Sequence, residues 1–228
     1  MKKQIIGVFV TFFLSIANAD ASSLSFTSAK KRLIAVYEDN PKSFYCGCDY
    51  KPAGKRLGKQ IPDWVSCNYS PRKQPQRASR IEWEHIMPAH HFGQHLTCWR
   101  EGGRNACKKD PVFKAMEGDM HNLVPAVGEV NGDRSNFKYG MLEGEKRVYG
   151  QCDAEVDFKA KRFEPAPEVR GDIARTYFYM SNKYKVRLSK QQTKMLQAWN
   201  KQDPVSQWER IRNQRIAAIQ GSRNPFIE

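Results

Sequence analysis

The stretch Arg80-Ile81-Glu82-Trp83-Glu84-His85-Ile86-Met87-Pro88 places a carboxylate directly beside an imidazole within an apolar run. Residues 81–85 predict a β-strand, in which neighbouring side chains point to opposite faces. Glu84 and His85 could then perform two different tasks at one strand end, the ligation of a metal ion and the handling of a proton. The alternative is a buried charged pair in an ordinary strand, and a short motif alone does not exclude it.

A second stretch follows further along the chain, Asp119-Met120-His121-Asn122-Leu123-Val124-Pro125-Ala126-Val127-Gly128-Glu129-Val130-Asn131-Gly132-Asp133-Arg134. Pro125 suits the first turn of a helix, where its missing N–H costs nothing, so we expect a helix from Pro125. Asn131 would lie nearly two turns along it, and its amide carbonyl is a hard oxygen ligand that Mg²⁺ accepts. A strand ending in a histidine, followed by a helix carrying an asparagine ligand, is the ββα-metal (His-Me finger) arrangement.

Three segments resemble the bacterial endonuclease I family of periplasmic or secreted nucleases. They are Trp83-Glu84-His85-Ile86-Met87-Pro88-Ala89, Asn122-Leu123-Val124-Pro125 and Gly128-Glu129-Val130-Asn131-Gly132-Asp133-Arg134-Ser135-Asn136. The resemblance extends from about Phe26 to Phe226. It implies a non-specific endonuclease that hydrolyses the phosphodiester bonds of DNA, with RNA as a second candidate substrate, and leaves 5′-phosphate ends.

The resemblance also implies a role for individual residues. His85 would activate water, and Glu84 and Asn131 would hold one Mg²⁺, for which Mn²⁺ or Ca²⁺ can substitute in binding. Arg104 would contact a phosphate, and Asn122 would shape the motif rather than bind metal. These roles agree with the chemistry of the side chains, because imidazole titrates near neutral pH and a guanidinium can grip phosphate oxygens bidentately. The alternative for Arg104 is a solvated surface charge.

The first 19 residues have the features of a signal peptide. Lys2 and Lys3 form its basic end, residues 5–16 are an apolar run, and Ala17-Asn18-Ala19 is an A-x-A cleavage site. A short transmembrane anchor is the alternative, but the run is shorter than the ~20 apolar residues that span a bilayer. We expect a periplasmic or secreted protein whose mature chain begins at Asp20.

The net charge indicates the kind of partner that the protein binds, and the length of the chain indicates the number of domains. Removal of Lys2 and Lys3 takes the formal net charge from +14 to +12. Such a surplus attracts polyanions, which include nucleic acid, lipopolysaccharide and a membrane surface. We expect contacts to phosphates with little sequence preference, since no recognition-helix or finger motif is present. Residues 20–228 fit one domain, and we expect a monomer without a membrane anchor.

An even number of cysteines behind a signal peptide favours disulfides, and six cysteines allow fifteen pairings. Cys98 and Cys107 flank a short glycine-rich segment and pair most plausibly. For the others we put forward Cys48–Cys67 and Cys46–Cys152. A zinc cluster is the alternative, disfavoured because the sequence has no CxxC pair.

The remaining patterns predict an α+β fold that is mostly helical, a single disulfide-stapled domain around the ββα-metal core. Residues 44–49 and 81–85 predict strands, the first from its alternating pattern. Residues 28–39, 110–118 and 167–184 predict helices. Ser189 and Gln192 predict a capping box for the next helix. Asp203-Pro204 is expected to open the last helix and Gly221 to end it.

Two other classes of function are compatible with parts of the sequence. One is a basic nucleic-acid-binding or uptake protein without catalysis, against which the intact set of Glu84, His85 and Asn131 argues. The other is a secreted zinc hydrolase, since His91 and His95 have i, i+4 spacing and His90 is adjacent. That spacing lacks the acidic partner of a stronger zinc motif.

Overall fold

The computed structural model describes residues 24–53, 59–144 and 146–228. The predicted signal peptide, residues 1–19, lies outside the described residues. Within the described ranges, no helix has the length and apolar character needed to cross a membrane.

The described chain is a mixture of helix and sheet in which helical residues outnumber strand residues. The strands are β1 (Tyr50–Pro52), β2 (Gln60–Pro62), β3 (Ile81–His85), β4 (Leu123–Val127), β5 (Lys138–Tyr139), β6 (Ala154–Asp157) and β7 (Arg162–Pro165). The helices are α1 (Phe26–Val36), α2 (Pro75–Ala78), α3 (Ala89–Gly93), α4 (Thr97–Cys107), α5 (Pro111–Glu117), α6 (Gly128–Arg134), α7 (Arg170–Tyr184), α8 (Lys190–Gln202) and α9 (Gln207–Gln220).

An antiparallel strand pair followed by a helix occupies the centre of the molecule. β3 pairs with β4 along its whole length, with Ile81 opposite Val127 and His85 opposite Leu123. β4 is buried at every position, so its apolar residues hold the pair in the interior. α6 starts immediately after β4, and the Gly128 N–H donates to the carbonyl of Arg80 (2.9 Å). This bond holds the start of α6 against the segment before β3.

The remaining strands form two small sheets beside this unit. β1 and β2 are antiparallel. In the three-stranded sheet β7 is central, parallel to β5 and antiparallel to β6. The larger hydrophobic core includes Phe113, Phe163 and Tyr177, and a second core lies between α1 and α9, where Leu33 and Ile216 are fully buried. α1 therefore packs on the body of the protein and forms one wall above β3.

Three disulfides are present in the described chain, two between separate segments and one within α4. They are Cys46–Cys152, Cys48–Cys67 and Cys98–Cys107, which coincide with the pairs put forward from the sequence. The first bridge spans 106 positions and ties the segment before β1 to the segment before β6. Long closed loops lose the most chain entropy in the unfolded state, so this bridge restricts the unfolded chain most.

Residues 44–49 do not form the predicted strand. Residues 44–46 form a turn, Gly47 adopts a left-handed conformation (φ 65°), and its N–H donates to the carbonyl of Ser43 (2.8 Å). The chain reverses direction here, which sends Cys46 and Cys48 to separate partners. The alternating pattern therefore reflects cysteine and aromatic packing rather than strand pairing.

The helix expected from Pro125 was also wrong at its start. Pro125 lies in β4 opposite Trp83, and its carbonyl accepts a hydrogen bond from Phe44 N–H (2.7 Å). Both strands of a two-stranded sheet are edge strands, where proline is tolerated. Burial of β4 outweighs the local preference of proline for a helix start. Asn131 consequently lies one turn into α6.

Other helix predictions held, with shifts at their ends. Asp110 caps α5 through Phe113 N–H, and Gly221 ends α9 with a left-handed conformation. Ser189 caps α8 through Gln192 N–H, which is one half of the predicted capping box; between these two described residues, the return bond from the Gln192 side chain is not formed. α9 starts after Ser206, whose capping box with Glu209 supersedes the start expected at residues 203–204. The glycine-rich segment between Cys98 and Cys107 is a helix interrupted at Gly102 and Gly103.

Candidate active site

A cleft of about 1080 Å³ opens above β3 and is bounded by α1, α4 and α6. Glu84, His85, Arg104 and Asn131 all line it, so the four residues selected for catalysis and metal binding share one cavity. Among described residues, its basic side chains outnumber its two glutamates, Glu82 and Glu84, and give it a positive character. The basic side chains are Lys30, Lys31, Lys59, Arg77, Arg80, Arg104 and Arg134.

Glu84 is a buried carboxylate, and only one of its two oxygens accepts hydrogen bonds from other described side chains. Its Oε1 accepts hydrogen bonds from Tyr45 Oη (3.0 Å) and from Arg134 Nη1 (2.8 Å). Among the described residues, no side chain donates to Oε2. Burial raises the pKa of Glu84, and the charge of Arg134, the hydroxyl of Tyr45 and the backbone N–H of His85 oppose that rise. Arg134 is itself fully buried and also donates to the backbone carbonyls of His85 and Ile86.

His85 is held in one orientation by two contacts. Its Nε2 lies 2.8 Å from the backbone carbonyl of Glu117. A carbonyl can only accept, so Nε2 carries the proton and Nδ1 keeps its lone pair. The ring of Phe26 lies against the imidazole, with centroids 4.8 Å apart. Burial lowers the pKa of His85 to about 3, and nearby cations contribute to the lowering. The imidazole is therefore neutral at physiological pH.

Asn131 presents its carbonyl end to the cleft. Its Nδ2 donates to Glu82 Oε2 (3.0 Å), and within the described ranges no donor reaches its Oδ1. Burial raises the pKa of Glu82, but hydrogen bonds and charge from Arg77 and Arg80 outweigh burial and lower it below its ordinary value. Glu84 Oε2 and Asn131 Oδ1 are hard oxygens of the kind that a small divalent cation prefers. The donor set therefore fits such an ion.

Arg104 follows the break in α4 and reaches the same cleft. Its Nε donates to Glu117 Oε1 (2.7 Å), and the guanidinium carbon lies 5.6 Å from the ring centroid of Phe26. Glu117 thus contacts Arg104 through its side chain and His85 through its carbonyl. The side chain of Arg104 is 44% exposed, which leaves donors available to a phosphate.

Asn122 lies beneath the site rather than in it. Its Oδ1 accepts from Met87 N–H (2.7 Å), and its Nδ2 donates to the Met87 carbonyl (3.0 Å). These two bonds hold the chain after His85 against the start of β4. The amide has no exposed surface, and the backbone of Met87 binds both its oxygen and its nitrogen.

The alternative zinc site is not assembled. His91 uses both ring nitrogens within the protein, Nε2 with the Asn136 carbonyl (3.0 Å) and Nδ1 with Tyr177 Oη (3.4 Å). In the part of the chain that the structure describes, no three His, Cys, Asp or Glu side chains are grouped to hold a metal. His121 is a buried histidine whose Nε2 donates to the Ser222 carbonyl (2.8 Å).

A family model described as Endonuclease I matches residues 21–228. The chain belongs to the endonuclease I family. Endonuclease I membership makes the chain a hydrolase that acts on nucleic acid and implies dependence on a divalent metal ion.

Relatives from two bacteria match this chain along most of its length. A periplasmic deoxyribonuclease of Aeromonas hydrophila is 51% identical over 205 residues, 90% of this chain and 85% of the relative. An extracellular deoxyribonuclease of the same organism is 52% identical over 90% of this chain and 88% of the relative. Endonuclease-1 of Buchnera aphidicola subsp. Acyrthosiphon pisum is 48% identical over 89% of this chain and 80% of the relative.

Several residues of this endonuclease I site were not selected from the sequence. Glu82 and Arg134 contact Asn131 and Glu84, and Phe26 and Glu117 contact His85. The sequence held one signal for Glu82, because residues two apart on a strand share a face. Phe26 and Glu117 approach through tertiary packing, which no local pattern reveals.

Proposed function

We propose that β3, β4 and α6 form a ββα-metal core and that the protein is a Mg²⁺-dependent endonuclease. It hydrolyses phosphodiester bonds of DNA, accepts RNA as a second substrate, and leaves 5′-phosphate ends. Residues 20–228 act as one catalytic domain, and the protein works as a monomer. Three atoms carry the proposal: Glu84 Oε2, Asn131 Oδ1 and His85 Nδ1 have no side-chain partner among the described residues and belong to side chains lining one basic cleft.

Glu84 and Asn131 would hold the single ion. When bound there, Mg²⁺ supplies positive charge that stabilises the developing negative charge on the phosphate and the leaving oxygen. The protein fixes both ligands beforehand, Glu84 through Arg134 and Tyr45 and Asn131 through Glu82. Ligands held in this way do not reorganise during the reaction, which is a source of catalytic power.

His85 acts as the general base. Its neutral state and the protonated Nε2 leave Nδ1 to accept a proton from the attacking water. The depressed pKa makes this imidazole a weak base in the free protein. A bound phosphodiester brings negative charge that opposes the surrounding cations and raises the basicity of His85.

Arg104 binds a phosphate oxygen at the rim of the cleft. The Cys98–Cys107 disulfide closes the interrupted helix around this residue, and the ion pair with Glu117 limits its movement. A displacement of ~1 Å at such a site can cost 10²-fold in rate. Binding by phosphate contacts carries no base information, so little sequence preference is expected.

The protein acts in the periplasm or outside the cell, in common with the Aeromonas relatives. The three disulfides agree with an oxidising compartment, because bacterial cytosolic thiols are kept reduced. A nuclease with little sequence preference is thereby kept away from the chromosome.

Incubation of the purified protein with supercoiled plasmid tests the proposal. Cleavage in the presence of Mg²⁺, arrest by EDTA and 5′-phosphate ends on the products are expected, and structured RNA is tested in parallel. Plasmid that is bound but left intact at every Mg²⁺ concentration would instead support the nucleic-acid-binding alternative.

A further inference from the structure

We propose that Glu82 is a positioning residue that selects which end of the Asn131 amide faces the cleft. The inference rests on the proposed function, in which Asn131 is a metal ligand. It concerns a residue two positions before Glu84 on the same strand, so that both carboxylates reach the cleft from one face of β3. In the structure these two glutamates have different hydrogen-bond partners.

Both oxygens of Glu82 are fully used within the protein. Arg77 binds them bidentately, with Nε 3.1 Å from Oε1 and Nη2 2.7 Å from Oε2. Arg80 adds two contacts to Oε1, at 2.9 Å from Nε and 2.7 Å from Nη2. The Asn131 amide completes the set at Oε2. Glu82 therefore has no lone pair directed at an ion, whereas Glu84 keeps Oε2 open.

The charge of Glu82 decides the orientation of Asn131. An asparagine amide presents a donor at one end and an acceptor at the other, and the two ends occupy similar space. A carboxylate between two guanidinium groups can only accept, so it attracts the Nδ2 end and repels the Oδ1 end. With Nδ2 facing Glu82, Oδ1 must face away. The reverse rotation would bring two oxygens together at Glu82 and offer the metal a nitrogen that cannot ligate it.

The backbone of α6 is shaped to admit this cluster. A Cβ at Gly132 would overlap the guanidinium of Arg77, and a Cβ at Gly128 would overlap the Arg77 carbonyl. These two glycines flank Asn131 along α6 and allow Arg77 and Glu82 to pack against the turn that carries it. The contact between β3 and α6 therefore fixes both the position of Asn131 and the rotation of its amide.

The chemistry predicts an inversion in the isosteric variant Glu82→Gln. The new glutamine would keep its carbonyl oxygen at the Oε1 position, where Arg77 Nε and Arg80 donate. Its NH₂ would take the Oε2 position, where it loses the bond from Arg77 Nη2 and faces Asn131. Asn131 would then satisfy that donor with Oδ1 and present Nδ2 to the metal. The exchange Glu82→Gln/Asn131→Asp repairs this, because an aspartate offers an oxygen to the glutamine and a second oxygen to the ion. The double variant keeps the net charge and the number of side-chain heavy atoms.

The test is a Mg²⁺ titration of the purified protein by isothermal titration calorimetry without nucleic acid, with melting temperatures recorded for each variant. The set comprises wild type, Glu82→Gln, Asn131→Asp, the double variant and Glu84→Gln. Asp39→Asn is the matched control, because Asp39 is also bound bidentately by an arginine, Arg215, but lies outside the cleft. Loss of an outer partner of a metal ligand typically weakens metal affinity by ~10–100-fold.

We expect Glu82→Gln to weaken Mg²⁺ binding by that amount, the double variant to recover most of it, and Asp39→Asn to bind as wild type. Asn131→Asp alone should bind more weakly than the double variant, since its carboxylate faces Glu82. An effect of charge alone predicts the opposite order, because Asn131→Asp carries one more negative charge. If Glu82→Gln fails to fold, the comparison of Asn131→Asp with the double variant still tests the role of Glu82.

Wild-type affinity in Glu82→Gln, or a double variant no better than Glu82→Gln, would overturn the inference. Glu84→Gln separates this failure from a failure of the proposed function. If Glu84→Gln binds Mg²⁺ as wild type does, the metal assignment itself is wrong and the role of Glu82 falls with it. If Glu84→Gln binds weakly while Glu82→Gln is unaffected, only the role of Glu82 is wrong.

Discussion

Two buried arginine–glutamate pairs, one at the cleft and one among the C-terminal helices, use their carboxylates in different ways. In the pair between α7 and α9, Arg175 donates to both oxygens of Glu209 at 2.7 Å, and Ser206 N–H donates to Oε2. In the pair at the cleft, Arg134 and Tyr45 both bind Oε1 of Glu84 and leave Oε2 open.

Under the proposed function, the difference separates a structural pair from a metal-binding one. A buried ion pair is tolerable when its remaining hydrogen-bonding positions are filled, and the Arg175–Glu209 pair meets that condition. Glu84 does not, because no side chain among the described residues donates to its Oε2. Burial raises the pKa of Glu84, and a bound cation would offset that cost of burial. A buried carboxylate with an open oxygen in a basic cleft is therefore the signature of the site.

The largest effect is expected from Glu84→Gln. The amide has one oxygen, which Arg134 and Tyr45 would occupy, so the ion would meet a nitrogen. Cleavage per folded molecule should fall by more than the ~10–100-fold that is typical for loss of an outer partner, and added Mg²⁺ should restore little. Plasmid nicking, normalised to the folded fraction by circular dichroism, measures this. Near-normal cleavage in this variant would remove Glu84 from the metal site.

His85→Ala should lower the cleavage rate by ~10²–10⁴-fold, the usual contribution of a general base. DNA binding should be retained, as measured by filter binding in Mg²⁺. His121→Ala is the matched control, because His121 is also buried and also donates Nε2–H to a backbone carbonyl. Equal losses of activity in the two folded variants would show that the histidine at the cleft has no special role.

Glu209→Ala should lower the stability of the fold rather than the activity. It leaves Arg175 buried without its bidentate partner, and the loss of one partner of a buried pair costs about 3–5 kcal/mol. Urea denaturation measures the change, and activity of the folded fraction should be unchanged. Asp39→Ala removes an exposed bidentate partner of Arg215 and should shift the midpoint far less. A midpoint for Glu209→Ala no lower than that of Asp39→Ala would refute the contrast.

A smaller effect on the stability of the fold is expected when the pH is lowered. Burial lowers the pKa of His121 to about 4, whereas an unfolded histidine titrates near 6.5. Between those values the unfolded state binds the proton and the folded state does not, so stability falls as pH drops from about 6.5 to about 4. One histidine contributes up to ~1.4 kcal/mol per pH unit. His121→Gln should make the denaturation midpoint less dependent on pH across this window, and parallel profiles would contradict the assignment.

Local sequence patterns predicted elements that local chemistry controls. The apolar run around Glu84 and His85 identified β3, the Asp110-Pro111 pair identified the start of α5, and Gly221 identified the end of α9. The start of α6 was missed because burial of β4 outweighs the preference of Pro125 for a helix. Residues 44–49 were missed because disulfides and aromatic packing set their conformation.

The candidate site shows the same division between what local sequence patterns predict and what tertiary contacts decide. The resemblance to a family selected Glu84, His85 and Asn131, and the structure brings them to one cleft. Alternation alone cannot separate Glu82 from Glu84, because both lie on one face of β3. The distinction depends on Arg77, Arg80 and Arg134, which approach from other elements and occupy different oxygens. No spacing rule encodes such partner choices.

Anomalous diffraction from crystals grown or soaked with Mn²⁺ locates the ion itself. We expect one strong peak in the cleft, bonded to Glu84 Oε2 and Asn131 Oδ1, with Glu82 still held by Arg77 and Arg80 and remote from the ion. A peak bonded to Glu82, or an ion in the cleft that contacts neither Glu84 nor Asn131, would contradict the metal assignment.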